Sequence, residues 1–181
     1  MSDLEKYLKY YFLEDYLFND VNKNFQRRGY LTTEEFFAIV IWKRNASKTK
    51  ILNGIKKNER TIRKITSKIS TAKTKEQRLS ALLSPKIPGI GIAFASAILT
   101  VCYPDDFTVA DYRAYASLKD FGEEIIGNPT AKVSAYFEYL EKCKKLAHKH
   151  NLSLRNFDRI LWAKDFYEGA NGLKQLVKGI E

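Results

Sequence analysis

Cysteine is scarce in this sequence. Cys102 and Cys143 are the only two, far apart and without ligand spacing. They form no disulfide framework, and they exclude a four-cysteine zinc or iron–sulfur site within this chain. Buried free thiols are the expected state. Nine glycines and four prolines leave little material for a turn-rich β fold. No apolar run approaches the length of a membrane span. The N-terminus opens on alternating charges and tyrosines, unlike a signal peptide. No segment sustains the period-2 alternation of a strand, and no internal repeat or long linker is visible. A cytoplasmic protein without a membrane partner is expected.

What remains is globular and helical. The chain has 181 residues, 45% apolar and 13% aromatic. At this size folding buries roughly 70% of the unfolded surface, so no covalent staple is needed. Ser2-x-x-Glu5 has the form of a capping box, followed by Leu4, Leu8, Tyr11 and Phe12 in a helix to about Phe18. Arg28-Gly29-Tyr30 reads as a stop. Thr32-x-x-Glu35 is a second capping box, opening a helix from Glu35 to Arg44 with Phe36, Phe37, Val40 and Ile41 on one side. Ile51, Ile55, Ile62, Ile65 and Ile69 predict two amphipathic helices broken near Asn58. Thr74-x-x-Gln77 caps a helix from Lys75 to about Leu83, and Pro85 and Pro88 bar helix after it. An apolar helix from Ile92 to about Val101 follows, then a turn at 103–106 and a helix from Asp111 to about Leu118, ended by Phe121-Gly122. Longer helices are predicted from Thr130 to about His148, facing inward with Val133, Phe137, Leu140 and Ala147, and from Ser153 to about Phe166, with Leu154, Phe157, Ile160 and Leu161. A short one runs from Gly172 to about Lys178. The fold class is all-α, packed as irregular helix pairs.

Charge is concentrated. The net charge is +10, yet the stretch from Lys43 to Arg78 alone holds thirteen Lys and Arg against only Glu59 and Glu76. The rest of the chain is close to neutral. Such a stretch implies a polyanionic partner, because each phosphate neutralised by a cation releases counterions. The alternative, a solvated face without a partner, usually mixes both signs.

The segment Ile87-Pro88-Gly89-Ile90-Gly91 lies between the basic helices and the apolar helix beginning at Ile92. Gly89 and Gly91 permit backbone angles barred to other residues, so the chain can reverse quickly. Gly91 also stands at a helix start, where unpaired N–H groups and the helix dipole favour an anion. One DNA phosphate suits this position, bound without reading sequence.

With Ala95-x-Ala97-Ile98-Leu99 and Phe107-Thr108-Val109-Ala110-Asp111 behind it, the hairpin resembles that of the helix-hairpin-helix-Gly/Pro-Asp DNA glycosylases, the superfamily of endonuclease III and the 8-oxoguanine glycosylases. The likeness is strong over about thirty residues. Residues 31–43 and 155–162 look like a bacterial branch of it. The resemblance implies an all-α fold of two helical lobes around a cleft, one of about residues 23–110 and the other of 1–22 with 111–181. It places Lys86, Pro88, Gly89, Ile90, Gly91 and Arg113 on double-stranded DNA. Asp111 falls at the catalytic aspartate, whose carboxylate stabilises charge on the sugar or activates water while the base leaves. Trp42, Tyr112 and Tyr115 are candidates for the base pocket, with core packing as the alternative for each. Ala93 stands where bifunctional relatives carry a Schiff-base lysine, so a lyase step is not expected. The cluster of endonuclease III is lacking, and neither an iron–sulfur cluster nor another resident cofactor is expected. A monovalent cation on the backbone of Lys86 to Gly91 is implied. Two alternatives stay open. Asp is among the best helix N-caps, so Asp111 can be a cap, and Pro-Gly-x-Gly hairpins also occur in binding modules without chemistry.

Overall fold

The structure, a computed structural model, describes residues 7–57 and 62–178. The capping box at Ser2 and Glu5, Leu4, and the break near Asn58 lie outside the described residues. The chain is all-α: 74% is helical, and no strand occurs among the described residues. No described helix is long and apolar enough to cross a membrane. The chain divides into two compact units, Met1–Pro104 and Asp105–Glu181.

The first unit opens with α1 (Leu8–Tyr11), α2 (Leu13–Asp15), a π-helical stretch Tyr16–Val21 and α3 (Asn22–Arg28). Helix therefore continues well past Phe18. Tyr16, Leu17 and Val21 of the widened turn are buried. Gly29 stops the path with φ 75°, as Arg28-Gly29-Tyr30 predicts. Its carbonyl accepts Ser70 Oγ at 2.8 Å. The Thr32–Glu35 capping box is present, with Glu35 N–H donating to Thr32 Oγ1 at 3.2 Å and Thr32 N–H donating to Glu35 Oε2 at 2.9 Å. It opens α4 (Thr33–Arg44). The inward face of α4 is Glu35, Phe36, Ile39 and Val40, whereas Ile41 is exposed and Phe37 half-buried. The predicted face is turned because buried Glu35, bound by Arg28 and Asn24, pulls its own side of the helix inward.

After a 3₁₀ turn at Asn45–Ser47 come α5 (Lys48–Lys57) and α6 (Ile62–Thr71), and all five predicted isoleucines are buried. The Thr74–Gln77 capping box opens α7 (Lys75–Leu83). The apolar helix is α8 (Ile92–Cys102), and ten of its residues are buried. It is the centre of this unit, with α4 and α7 packed against it. Two of its buried hydroxyls are satisfied locally, Thr100 by the Ser96 carbonyl and Ser96 by that of Ala93. The carbonyls at its C-terminus, orphaned by helix geometry, accept Asn22 Nδ2 at 2.7 Å on Val101 and 3.1 Å on Cys102. Gln26 Nε2 also donates to Cys102.

The second unit contains α9 (Tyr112–Leu118), a 3₁₀ turn at Lys119–Phe121 ended by Gly122 at φ 75°, α10 (Val133–Lys149), α11 (Leu154–Glu168) and α12 (Leu173–Lys178). α11 packs against both α9 and α10. The inward face of α10 is Tyr136, Tyr139, Leu140, Cys143, Leu146 and Ala147, while Val133 is exposed. On α11, Leu154, Phe157 and Leu161 are buried with Asp158, and Ile160 is exposed. In both helices polar groups that find partners inside shift the buried face away from the purely apolar stripe.

Candidate nucleic-acid interface

The segment between α7 and α8 is a tight reversal. Ile90 N–H donates to the Ile87 carbonyl at 2.9 Å across Pro88 and Gly89. Proline before a glycine of φ 94° is the sequence of a type II turn. Lys86, exposed, has φ 50° and donates its N–H to the Leu83 carbonyl at 3.0 Å. Ile87 and Ile90 point into the core and anchor the turn, whereas Pro88 is exposed. Gly89 needs its lack of a side chain twice over, for its φ and because a Cβ would stand 2.9 Å from Ile51 Cγ1.

Gly91 differs from what the sequence predicts. Its φ of −107° and ψ of −169° are extended backbone open to any residue, so no forbidden angle requires glycine there. A Cβ on it would meet nothing within 4 Å. Gly91 is the N-cap of α8, and its carbonyl accepts Phe94 N–H and Ala95 N–H at 3.1 and 2.9 Å. It is exposed, so the end of α8 where N–H groups lack intrahelical acceptors is uncovered. Ala93 is the one residue of α8 that is half-exposed.

The basic helices reach this turn through α5. A Cβ on Gly54 would lie 2.8 Å from Pro88 Cδ and 3.1 Å from Pro88 N, so α5 can approach the turn only with glycine at that position. One turn earlier on α5, Lys50 runs past Gly89, its Cγ and Cδ at 3.5 and 3.6 Å from where a Cβ would stand. Arg44, Lys48, Lys50, Lys56, Lys64, Lys68 and Lys73 are exposed. Arg63 and Arg78 are committed to aromatic rings, Arg63 over Tyr30 at 4.3 Å and Arg78 over Tyr103 at 3.9 Å. Glu59 and Arg60 lie outside the described residues. Sequence reading counted Lys50 in the basic stretch but did not place it or Gly54 beside the turn, because a glycine inside an amphipathic helix signals no particular neighbour.

Trp42 also belongs to the first unit. It is half-buried and packs edge-to-face on Phe18, with centroids 5.7 Å apart at 76°. A separate open cavity of about 400 Å³ lies between α4, α5 and α6, lined among others by Tyr30, Phe37, Leu52 and Arg63. Trp42 does not line it.

In the second unit, residues 107–110 form a buried segment outside any helix, leading to Asp111. Three side chains hold it. Tyr136 donates its hydroxyl to the Thr108 carbonyl at 3.0 Å, Tyr139 donates to that of Val109 at 3.4 Å, and Thr108 Oγ1 donates to Asp158 Oδ1 at 2.9 Å. The other Asp158 oxygen accepts Arg155. Asp111, half-exposed, is the N-cap of α9. Its Oδ1 accepts Arg113 N–H at 2.9 Å, and its carbonyl accepts Tyr115 N–H at 2.9 Å. The cap geometry open in the sequence is thus present. Tyr112 is 75% exposed, and Tyr115 donates its hydroxyl to the Gly127 carbonyl at 3.4 Å. Arg113 pairs with Asp165 at 3.2 Å. His150 caps the end of α10 and packs edge-to-face on Phe121. Tyr136, Tyr139 and Asp158 are positioning residues that sequence reading missed. Nothing in a sequence shows which buried polar group reaches across to which carbonyl.

Compared with known proteins, the chain matches no family model, no curated protein and no solved structure.

Proposed function

We propose that this protein binds double-stranded DNA through a helix-hairpin-helix formed by α7, the Ile87–Ile90 turn and α8. In this reading it is a monofunctional DNA N-glycosylase of base-excision repair, similar to the helix-hairpin-helix-Gly/Pro-Asp superfamily. The observation that carries the reading is the type II sequence turn delivering exposed Gly91 to the bare N-terminus of an eleven-residue helix. That geometry presents N–H groups and a positive dipole end to a phosphate. Lys86 and the exposed lysines of α5 and α6 add the cations that a polyanion requires. Of the carbonyls in 86–91, those of Ile87 and Gly91 accept backbone N–H groups. A monovalent cation would therefore use the oxygens of Lys86, Pro88, Gly89 or Ile90.

The reaction is hydrolysis. Water adds its oxygen to C1′ of the deoxyribose, the C1′–N bond breaks, and the base leaves with its electron pair and a proton. The Asp111 carboxylate stabilises the cationic sugar or takes the water's proton. Tyr112 and Tyr115, which follow Asp111 in the second unit, are the aromatics proposed to hold the displaced base. Ala93 offers no amine, so the strand is left uncut.

A binding module without chemistry is the second reading. It is favoured by one observation, the Asp111 carboxylate already serving the N-terminus of α9. Asp111→Asn separates the two, because Asn caps a helix as well as Asp does. The experiment is base release from duplexes that each contain one damaged or mismatched base. A glycosylase loses release in Asp111→Asn and keeps its fold and duplex affinity. A module releases nothing in either form while retaining salt-sensitive binding. Absence of duplex binding at low salt would sink both readings.

A further inference from the structure

α11 carries an aromatic face that the proposed reaction does not use. The rings of Trp162 and Phe166 lie 5.4 Å apart and within 7° of parallel, one helical turn from each other. Both are surface groups, 45% and 47% exposed. A stacked pair of rings, each about half exposed, offers aromatic surface to a further flat ring.

Cations flank the rings. The Arg113 guanidinium sits 5.8 Å from the Trp162 ring centroid. Arg159, exposed, stands one turn before Trp162, its guanidinium donating to Asn156 Oδ1 at 3.1 Å. Of the neighbouring acids, Glu168 pairs with Lys164, and Asp165 pairs with Arg113, which would exchange it for a phosphate. An aliphatic partner would have no use for a guanidinium beside an aromatic pair, with a second one turn earlier on the same helix. A nucleotide has a flat ring and a phosphate on either side, which this arrangement complements.

We propose that Trp162 and Phe166, with Arg113 and Arg159, bind an unpaired nucleobase of a DNA strand and its flanking phosphates. The protein then prefers DNA with a bulged or single-stranded nucleotide over a blunt duplex. The inference rests on the reading of the chain as a DNA binder, and adds to it a contact that the hairpin does not supply.

The probes are one single-stranded oligonucleotide, its blunt duplex, and the same duplex with one bulged adenine, followed by anisotropy and by tryptophan emission. Stacking on Trp162 quenches emission with the single strand and the bulge, and Trp162→Phe abolishes that quench. Phe166→Ala weakens binding of those two probes about tenfold and leaves the blunt duplex unchanged. The platform is overturned, with the hairpin reading intact, if the blunt duplex binds and the single strand does not. It is overturned equally if the quench survives in Trp162→Phe and disappears in Trp42→Phe. A Trp162 emission change that follows protein concentration alone, with a doubled mass, assigns the face to a second copy and overturns it too. If no probe binds at low salt, this proposal and the DNA reading fail together.

Discussion

Asp158 Oδ1 accepts the Thr108 hydroxyl at 2.9 Å, across fifty residues of sequence, three positions ahead of Asp111. The other oxygen of the same carboxylate accepts Arg155, and both side chains are nearly buried, at 7% and 12% exposure. A carboxylate taken from water must be matched on both oxygens, and here it is.

Asp158→Asn removes the carboxylate charge that faces Arg155 in a nearly buried site. We expect a loss of about 3 kcal/mol, because breaking one side of a buried pair strands the other charge. The urea midpoint measures it. Lys145→Ala, which removes an ion pair to Glu123 from an exposed lysine, leaves the midpoint where it is.

Two glycines near the hairpin separate fold from binding. Gly54→Ala forces a Cβ to within 2.8 Å of Pro88 Cδ, and should cost about 2 kcal/mol as α5 and the turn are pushed apart. Gly91→Ala meets no atom, so stability changes by less than about 1 kcal/mol. Its methyl group covers the end of α8, and duplex affinity falls while the urea midpoint holds. Equal loss of affinity and stability in Gly91→Ala would count against a phosphate at that end.

These contrasts mark how much the sequence can tell. Caps at Thr32 and Thr74 and the stop at Gly29 are read from residues a few positions apart, and each is present as predicted. The isoleucines of α5 and α6 also obey their period, since little on those helices competes for the interior. Ile41, Val133 and Ile160 break the pattern because buried Glu35, Tyr136 and Asp158 claim the inward direction. Such choices depend on partners distant in sequence. The same holds for the π-helical stretch at Tyr16–Val21, for Gly54 beside Pro88, and for the residues that hold 107–110. The reversal at 87–90 was legible; that Lys50 of α5 runs beside it was not.

Burial raises the phenols of Tyr136 and Tyr139 well above the usual tyrosine range, with the nearby Asp158 adding to it. Tyr16 is pushed up to about 12, first by desolvation and then by Glu34 and Glu35. The folded chain keeps these protons to a higher pH than the unfolded chain, whose tyrosines titrate near 10. Their stabilising contribution is therefore complete below about pH 10 and disappears as pH climbs through the folded values. Tyrosinate absorbance and circular dichroism should show the last tyrosines ionising together with loss of helix. Titration of all eleven tyrosines near pH 10 with helix intact would refute this.

Cys102 and Cys143 are buried, and desolvation lifts both thiols above their usual range. A thiol is reactive as the thiolate, so neither should label in the native protein. Ellman's reagent should count no thiol at neutral pH and two in denaturant. Rapid labelling of the native chain would show that α8 or α10 opens to solvent.

The residues that shape 107–110 all follow it in the sequence, Tyr136 and Tyr139 on α10 and Asp158 on α11. The turn at Ile87–Ile90, by contrast, rests on Ile51 and Gly54, which precede it. During synthesis the two halves of the proposed machinery therefore mature at different times. A nascent chain can gather the residues under its 87–90 turn while the ribosome still withholds the side chains that hold the segment before Asp111.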